Sequence, residues 1–438
     1  MKTRGISRRR FLGRTAAAAG AGLTILTRSN WASAATRKVS ANERIVTGHI
    51  GIGGMGRSHF DRLLNYSEAH IAAVADPDAK MRDAAKAKAA EFKVSIDTYN
   101  DFHEMLERKD IDAIFVATPD HWHALAAIAA MQAGKDVYCE KPLTLTIAEG
   151  RKMVETARRY DRVVQMGTQQ RSDQKQFLHA CELVRNGRIG EVKRAVCFFG
   201  PNPRVDYTPN EDPPPGLDWN LYLGPAPWRP FNKQIHPYNF RYWRDYSGGL
   251  LTDWGVHLFD IAQWGLGKDD TSARRIEAEG EMYEDNMYEF PRRLRIRYDY
   301  GDAVIEWQQG DEESKSFEEG EGYGTKFYGT DGEVFVNRSY CKVHPKPGKT
   351  INEQFGANDT RLYDAPGHHQ DFFNCMRERR KPICDVETGH RATCISHLGN
   401  IVFRLGHPVE YDPVKETFPG DLAASRMVEK PMRAPWHL

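Results

Sequence analysis

The chain has 438 residues, of which 40% are hydrophobic, and its formal net charge is +1. A globular chain of this length is expected to hold two domains, and its nearly balanced charge gives no support for binding nucleic acid or an anionic membrane surface. Seven cysteines are scattered without a C-x-x-C pair, which argues against a disulfide framework and against a structural zinc site.

The N-terminus has the pattern of a twin-arginine export signal. Residues 7–12 read SRRRFL, a weakly apolar stretch follows from Ala16 to Leu26, and residues 32–34 have the small-x-small form of a cleavage site. The apolar stretch is about half as long as a membrane-spanning helix, so we expect cleavage and no stable membrane anchor. The sequence therefore predicts a signal peptide over residues 1–35, followed by a polar arm over residues 36–44.

A glycine-rich turn follows the first apolar run, residues 45–50. Its G-x-G-x-x-G spacing suits a tight turn, close approach of backbone to a pyrophosphate, and close packing of the following helix. A helix over residues 58–66 and a buried strand over residues 71–75 are predicted next, and Asp76 follows that strand. A carboxylate there accepts hydrogen bonds from ribose hydroxyls and repels a 2′-phosphate, so NAD is favoured over NADP. The predicted contacts in the turn are Gly51, Ile52, Gly53, Gly54, Met55 and Gly56.

Short apolar runs alternate with helical stretches up to about residue 165, which predicts a doubly wound parallel sheet. The further predicted strands cover residues 111–117, 136–140 and 163–167, and the further helices cover residues 80–92, 124–133 and 147–160. Ligands in such sheets bind beyond the carboxyl ends of the strands, where Thr118, Pro119 and Lys141 fall. We therefore predict a nucleotide-binding domain over residues 45–165.

The second half of the chain has strand patterns without regular intervening helices. Strands are predicted over residues 192–199, 294–300, 303–309, 324–328 and 333–337, and helices over residues 372–379 and 390–405. This predicts an α/β domain with a large, mostly antiparallel open sheet over residues 166–411, for substrate binding and oligomerisation. A long loop rich in Pro, Trp and Tyr, residues 201–247, has a composition that suits stacking on a sugar. A loop-like tail is predicted over residues 412–438.

Asp253 and His257 are four residues apart, so on a helix they would share one face. The preceding Gly248-Gly249 would let that helix begin close to a substrate. His257 is a reasonable acid or base at neutral pH. Lys141, in Glu140-Lys141-Pro142, could hydrogen-bond the reacting oxygen of an alcohol, and Asp253 could hold Lys141 or His257 in its working charge state. These residues leave open which of Lys141 and His257 accepts the proton.

Other polar and aromatic residues are weaker candidates. Residues 170 and 171 follow a predicted strand end and could reach the same cleft. Residues 242–244 precede the glycine pair and could contact the cofactor or substrate; the alternative is that they are core aromatics with a surface arginine. The predicted substrate contacts are Gln170, Arg171, His236, Tyr238, Trp243, Arg244, Asp253 and His257. His121 and His123 diverge on a helix and lack partner ligands, so no metal is predicted there. His368-His369 is interpreted as structural or as part of a substrate rim.

These motifs together resemble the glucose–fructose oxidoreductase / inositol dehydrogenase / rhizopine catabolism (Gfo/Idh/MocA) family, from residue 45 to residue 405. The motifs that carry the resemblance are Gly51-x-Gly53-x-x-Gly56, Thr118-Pro119-Asp120-His121-Trp122-His123, Glu140-Lys141-Pro142 and Gly248-Gly249-x-x-x-Asp253-x-Gly255-x-His257-x-x-Asp260. The resemblance implies a Rossmann domain, a second domain whose open sheet carries the substrate site, and a homodimer or homotetramer. It implies catalysis by Lys141, Asp253 and His257. It also implies that Thr118, Pro119, His123, Glu140 and Lys141 line the cofactor site.

Three functions follow from these expectations. The first is an NAD(P)-dependent oxidoreductase acting on a secondary hydroxyl of a sugar, polyol or glycoside. The second is an NAD-dependent glycosidase that forms a transient 3-keto sugar, eliminates the aglycone, adds water and reduces the product again. The third is a non-catalytic sugar- or NAD-binding protein, against which the retained Lys141, Asp253 and His257 argue.

Export by the twin-arginine machinery would have a consequence for the cofactor. The machinery carries folded proteins, so the chain would fold in the cytoplasm and then reach the periplasm. A dinucleotide would have to be inserted before export, because little free NAD would be available outside. We therefore expect tightly bound NAD that is retained through each turnover. Such retention suits an oxidoreductase whose cofactor is regenerated by a second substrate, and it suits the glycosidase, which consumes no net cofactor.

Overall fold

A computed structural model of the protein describes residues 43–172, 175–310 and 322–438. The predicted signal peptide and nearly all of the polar arm lie outside these ranges. Among the helices that the structure describes, none is both long and apolar enough to cross a membrane.

The N-terminal half is built on a six-stranded parallel sheet, which confirms the predicted doubly wound architecture. The strand order is β3-β2-β1-β4-β5-β6. The strands are β1 (Ile45–Ile50), β2 (Ala69–Ala75), β3 (Asp97–Tyr99), β4 (Ala113–Val116), β5 (Asp136–Cys139) and β6 (Val164–Met166). The helices are α1 (Gly54–Leu64), α2 (Ala79–Glu91), α3 (Phe102–Leu106), α4 (Asp120–Gln132) and α5 (Ile147–Arg159).

Two helices begin earlier than their apolar pattern predicts. The first, α1, begins at Gly54 inside the glycine turn, and α4 begins at Asp120 directly after Pro119. A proline before the first helical residues has a backbone angle compatible with helix entry, so polar residues open α4. Both helix N-termini therefore lie at the carboxyl ends of the strands that precede them, where ligands bind in such sheets.

The C-terminal half holds an eight-stranded sheet of order β13-β12-β11-β7-β10-β9-β8-β14. Its neighbouring strands are antiparallel except β7 and β10, so the predicted mostly antiparallel sheet is confirmed. The strands are β7 (Val192–Phe199), β8 (Arg275–Glu281), β9 (Arg293–Asp299), β10 (Val304–Gln309), β11 (Gly324–Gly329), β12 (Gly332–Val336), β13 (Cys341–Pro345) and β14 (Val409–Glu410).

One face of this sheet packs on helices and the other is half-exposed. The helices of this half are α6 (Lys175–Arg185), α7 (Trp219–Leu223), α8 (Leu250–Asp253), α9 (Gly255–Leu266), α10 (His368–Glu378), α11 (Val386–Leu405) and α12 (Leu422–Ser425). Along β9, buried Leu294, Ile296 and Tyr298 alternate with Arg295 and Arg297. This period of two places the apolar side chains in one core with α6, α9 and α11.

The loop over residues 201–247 contains only α7 and a 3-10 turn, Asn239–Tyr242, as regular helix. Most of its aromatic side chains pack on each other. Trp219, Phe231, Phe240, Trp243 and Tyr246 are all buried in one cluster. The predicted suitability for sugar stacking is therefore wrong for these residues, because a long loop needs a core of its own to be ordered.

Candidate active site

The three glycines of the turn have separate physical roles in the structure. Gly51 has φ +80°, and a Cβ there would lie 2.7 Å from the Ala117 carbonyl oxygen. A Cβ at Gly56 would collide with the carbonyl oxygen of Gly51, whereas one at Gly53 would meet no protein atom within 4 Å. Packing thus requires the first and third glycines, and the space above Gly53 suits a dinucleotide pyrophosphate at the start of α1.

The space above Gly53 is part of a cleft, which we call the first cleft. Asp76, at the end of β2, hydrogen-bonds the glycine turn and lines this first cleft. Its Oδ2 accepts a hydrogen bond from the Ile52 N–H at 2.9 Å, and its Oδ1 accepts one from the Asp78 N–H at 2.9 Å. Burial raises the pKa of Asp76 to about 6. Each carboxylate oxygen keeps a second lone pair, so Asp76 could also accept from ribose hydroxyls.

The loops after β4 and β5 form the next part of this first cleft, which includes Thr118, Pro119 and His123. His123 is buried, with Nε2 2.9 Å from the Thr118 carbonyl oxygen and Nδ1 2.7 Å from the Pro142 carbonyl oxygen. The ring therefore joins the two loops. Among the described residues, the buried Oγ1 atom of Thr118 has no hydrogen-bond partner, so it could bond a ligand in the cleft.

A second cleft adjoins the first, and the two share Glu140, Lys141 and Asp253 in their walls. Lys141 Nζ lies 2.5 Å from Asp253 Oδ1 and 2.9 Å from the Asp253 carbonyl oxygen. Arg241 Nε lies 3.4 Å from Asp253 Oδ2. Burial alone would raise the pKa of Asp253, but the charges of Lys141 and Arg241 hold it below its ordinary value. The carboxylate is therefore ionised where the two clefts meet.

His257 lines the second cleft, but not on the single helix that its spacing predicts. The helix is interrupted, since α8 ends at Asp253 and α9 begins at Gly255, with Trp254 between them. His257 is 4% exposed, and no described residue hydrogen-bonds its ring. Burial, followed by the charges of Lys141 and Arg338, lowers its pKa well below 6.5. The imidazole is therefore neutral at neutral pH.

The glycine pair before α8 packs tightly against the protein itself, and its role in bringing the helix close to a substrate stays a prediction. Gly249 has φ +71°, and a Cβ there would lie 2.7 Å from the Phe290 ring. A Cβ at Gly248 would collide with the Thr252 side chain. Packing within the protein therefore accounts for both glycines.

Glu140 lies in a buried hydrogen-bond network. Its Oε1 accepts from His59 Nε2 at 2.8 Å and from Gln169 Nε2 at 2.9 Å. Burial alone would raise the pKa of Glu140, but the hydrogen bond and charge of His59 and the charge of Lys141 lower it overall. His59 Nδ1 lies 2.8 Å from His369 Nε2, so His369 supports this network and also lines the second cleft.

Among the predicted substrate contacts, Gln170 and Tyr238 line the second cleft. Gln170 is buried, whereas Tyr238 is 57% exposed and also borders the first cleft. His236 lies on the nucleotide side instead, because it lines the first cleft, with Nε2 3.8 Å from Asp78. Its proposed place at the substrate rim is therefore wrong, and burial lowers its pKa.

Three further predicted substrate contacts lie away from both clefts. Arg171 is buried in an ion pair with Asp260 at 2.8 Å, which uses the guanidinium inside the protein. Trp243 is buried and donates from Nε1 to the Gln234 carbonyl oxygen at 2.7 Å. Arg244 borders a separate pocket. The core-aromatic alternative for Trp243 is therefore the correct one.

Several cleft residues lack a recognisable sequence signal. His59 and Gln169 belong to no motif, and Arg338 comes from the turn after β12, far along the chain from Asp253. Arg241 lies among aromatic residues, and its guanidinium stacks 4.1 Å from the Tyr238 ring centroid. The position of Arg241 within a run of aromatic residues is the one sequence feature that could indicate its place in the site. Within the described ranges, no group of three His, Cys, Asp or Glu side chains could hold a metal ion.

Comparison with known families supports the class that this geometry defines, an oxidoreductase with a nucleotide-binding domain. Residues 45–168 match the model for the oxidoreductase family, NAD-binding Rossmann fold, and residues 204–438 match the model for the oxidoreductase family, C-terminal alpha/beta domain. The chain belongs to the Gfo/Idh/MocA oxidoreductase family. It is an NAD(P)-dependent oxidoreductase of the type that acts on CH–OH groups.

Individual relatives are distant. The chain is 25% identical to myo-inositol 2-dehydrogenase of Thermotoga maritima over 365 residues, which cover 82% of this chain and 93% of the relative. It is 34% identical to inositol 2-dehydrogenase of Salmonella typhimurium over 146 residues, or 33% of this chain and 42% of the relative. A similar fold occurs in aldose-aldose oxidoreductase from Caulobacter crescentus, complexed with glycerol, with TM-score 0.61, 18% identity, and coverage of 84% and 99%.

Proposed function

We propose that this chain oxidises a secondary hydroxyl of a sugar, polyol or glycoside and that it uses NAD, held tightly through each turnover. The observation that carries the proposal is the Lys141–Asp253 pair at 2.5 Å, in the wall shared by the two clefts. A hydroxyl in the second cleft could contact Lys141 while a nicotinamide ring occupies the first. The names of the Thermotoga and Caulobacter proteins are consistent with such substrates.

Each residue of the site has a distinct chemical role in this scheme. Lys141 has three N–H donors, of which two point to Asp253, so one is left for the reacting oxygen. That donor stabilises negative charge on the oxygen as its proton leaves. His257, neutral and unpaired within the described chain, takes the hydroxyl proton on one ring nitrogen. A bound nicotinamide supplies the acceptor for the hydride that leaves the carbinol carbon.

Retention of the cofactor follows from the proposed location. We propose that residues 1–35 are a twin-arginine signal and that the folded enzyme works in the periplasm. A second carbonyl substrate would then take back the hydride, so that no free NAD is needed. We also propose that the chain forms a homodimer or homotetramer through the open face of its eight-stranded sheet. That face carries the half-exposed charged side chains of β8, β9 and β10.

The first experiment is to denature the purified mature protein and to quantify the dinucleotide that is released. Near-stoichiometric NAD or NADH supports a retained cofactor, and NADP would contradict the role of Asp76. An empty, folded protein contradicts retention. The holoprotein is then mixed with aldoses, polyols and an aryl glycoside without added NAD. Accumulation of a keto product supports the oxidoreductase, release of phenol supports the glycosidase, and no reaction by a dinucleotide-loaded protein supports a binding protein.

A further inference from the structure

Within the residues that the structure describes, the second cleft contains a guanidinium group, that of Arg338, without an ion-pair partner. Arg338 stacks on the ring of Trp254 at 4.5 Å, and Trp254 is the residue next to Asp253 in the chain. With the Gln170 amide oriented so that its nitrogen donates to the His257 carbonyl oxygen at 3.0 Å, its oxygen accepts from Arg338 Nε at 3.2 Å. In the described part of the chain, nothing accepts a hydrogen bond from the two terminal nitrogens of Arg338.

The carboxylates near this guanidinium are committed to other partners. Glu140 accepts hydrogen bonds from His59 and Gln169, and Asp253 is bound by Lys141 and Arg241. The remaining carboxylate of the cleft wall, Asp364, is exposed and makes no described ion pair with Arg338. Lys175, also exposed in this wall, makes no described ion pair either. Among the described residues of its wall, the cleft therefore holds five basic side chains and three acidic ones: Arg62, Lys141, Lys175, Arg241 and Arg338 against Glu140, Asp253 and Asp364.

Burying part of an arginine without a counter-ion costs free energy, and burial lowers the pKa of Arg338. The stacking on Trp254 and the single bond to Gln170 fix the plane of the guanidinium and leave its fork directed to other acceptors. A planar fork of two N–H donors matches a carboxylate or phosphate group in a bidentate manner. A neutral hydroxyl cannot supply the missing charge.

We propose that the substrate of this site carries an anionic group, a carboxylate or a phosphate, and that Arg338 binds it. This inference rests on the proposed oxidation of a sugar or polyol in the same cleft. The anionic group would bind Arg338 while the reacting hydroxyl contacts Lys141. A sugar acid or a sugar phosphate has both groups on one molecule, whereas a free aldose or inositol lacks the charge.

The test uses holoprotein with its dinucleotide and matched series of sugars that differ at C6. Glucose, glucuronate and glucose 6-phosphate form one series, and galactose, galacturonate and galactose 6-phosphate form another. Titration calorimetry measures binding, and nicotinamide absorbance measures oxidation. We expect the acid or the phosphate of one series to bind about tenfold to a hundredfold more tightly than its neutral member. Whichever of the sugar acid and the sugar phosphate binds more tightly identifies the anionic group.

Substitutions at Arg338 separate recognition from a structural role. Arg338→Met should lower the affinity for the anion at least tenfold more than the affinity for the neutral sugar, and Arg338→Lys, which keeps the charge, should restore part of the preference. Arg204→Met is the matched control, because Arg204 is 48% exposed and, within the described ranges, forms its ion pair with exposed Asp206.

Three results would overturn the inference. The first is equal affinity of the unsubstituted protein for the neutral and the anionic sugars of a series. The second is that Arg338→Met and Arg338→Lys each lose affinity for the neutral and the anionic sugars to the same extent. If neutral sugars are nevertheless oxidised, the proposed function stands without the anionic substrate. If no sugar of any series is bound or oxidised by dinucleotide-loaded protein, the proposed function itself fails, and this inference fails with it.

Discussion

Lys141 directs two of its N–H donors to a single residue, Asp253, one to the carboxylate at 2.5 Å and one to the backbone carbonyl at 2.9 Å. The two contacts come from one residue, so they fix the position of the Lys141 amino group. A charged, oriented lysine is suited to hold an alcohol oxygen as it loses its proton. The Lys141–Asp253 pair does not accept the hydroxyl proton in this scheme, so another group must accept it.

Lys141→Met should lower kcat for the oxidised sugar by about a hundredfold to a thousandfold, because the donor to the reacting oxygen is lost. The amount of bound dinucleotide should change little, since the glycine turn and Asp76 remain. Rates and released NAD are measured on the same preparation. Lys268→Met is the control: Lys268 forms a comparable ion pair with Asp302 at 2.6 Å, but away from both clefts. Equal activity of Lys141→Met and Lys268→Met would remove Lys141 from the mechanism.

The pH dependence of kcat/KM can identify the proton acceptor. The pKa of His257 lies well below 6.5, so its neutral form persists as the pH falls from about 8 to 6. We therefore expect no acidic loss of activity centred near pH 6.5. His257→Asn should lower kcat by about a hundredfold or more over the whole range. A fall in rate centred at pH 6.5 that disappears in this variant would show that the imidazole titrates normally.

Gly53 and Gly56 should respond differently to the same substitution. Gly53→Ala adds a methyl group to open space, so the unfolding free energy of dinucleotide-free protein should stay within about 1 kcal/mol, whereas dinucleotide affinity should fall about tenfold or more. Gly56→Ala forces a collision with Gly51 and should destabilise the fold by about 1–3 kcal/mol. Urea unfolding and NAD titration measure the two effects. Similar destabilisation by both variants would refute the assignment of the open space to the ligand.

The sequence predicts those parts of the molecule that depend on local periodicity or on motifs. The strand Val192–Phe199 has the predicted bounds, because its apolar residues 195–199 run without interruption to its end. The strand Arg275–Glu281 is absent from the prediction, because its sequence RIEAEGE is mostly charged and only its neighbours in the sheet make it a strand. The helix Lys175–Arg185 is also absent from the prediction. Its apolar side chains pack in the core of the C-terminal half.

The same distinction holds in the site. Lys141 and Asp253 lie in short motifs and meet as their proposed roles require. Arg171 and Trp243 lie beside such motifs, but whether a side chain points to a cleft or to the core depends on the tertiary fold. Arg338 reaches the cleft only because the turn after β12 lies beside Trp254, between α8 and α9, a relation between distant segments that no local pattern contains.

His49 provides a prediction about stability and pH. It is 1% exposed on β1, its ring stacks on Phe115 at 5.0 Å, and its Nδ1 has no hydrogen-bond partner in the part of the chain that the structure describes. Burial, followed by the charge of His59, lowers the pKa of His49 from 6.5 to about 3. Below pH 6.5 the unfolded chain therefore binds a proton at this position that the native protein does not bind. Stability must fall as the pH falls from about 6.5 towards 3.

His49→Phe keeps an aromatic ring against Phe115 and removes this proton. The slope of unfolding free energy against pH should become less steep by about 1.4 kcal/mol per pH unit between pH 6 and 4, as urea unfolding at several pH values can measure. His407→Phe is the control, at a histidine whose pKa shift has the opposite sign. His407 is exposed, and its hydrogen bond to Asp421 raises its pKa, so its protonation stabilises the native state and that contribution is lost only as the pH rises above 6.5; His407→Phe should therefore leave the slope between pH 6 and 4 unchanged. Parallel slopes for His49→Phe and the unsubstituted protein would mean that His49 is protonated in the native state.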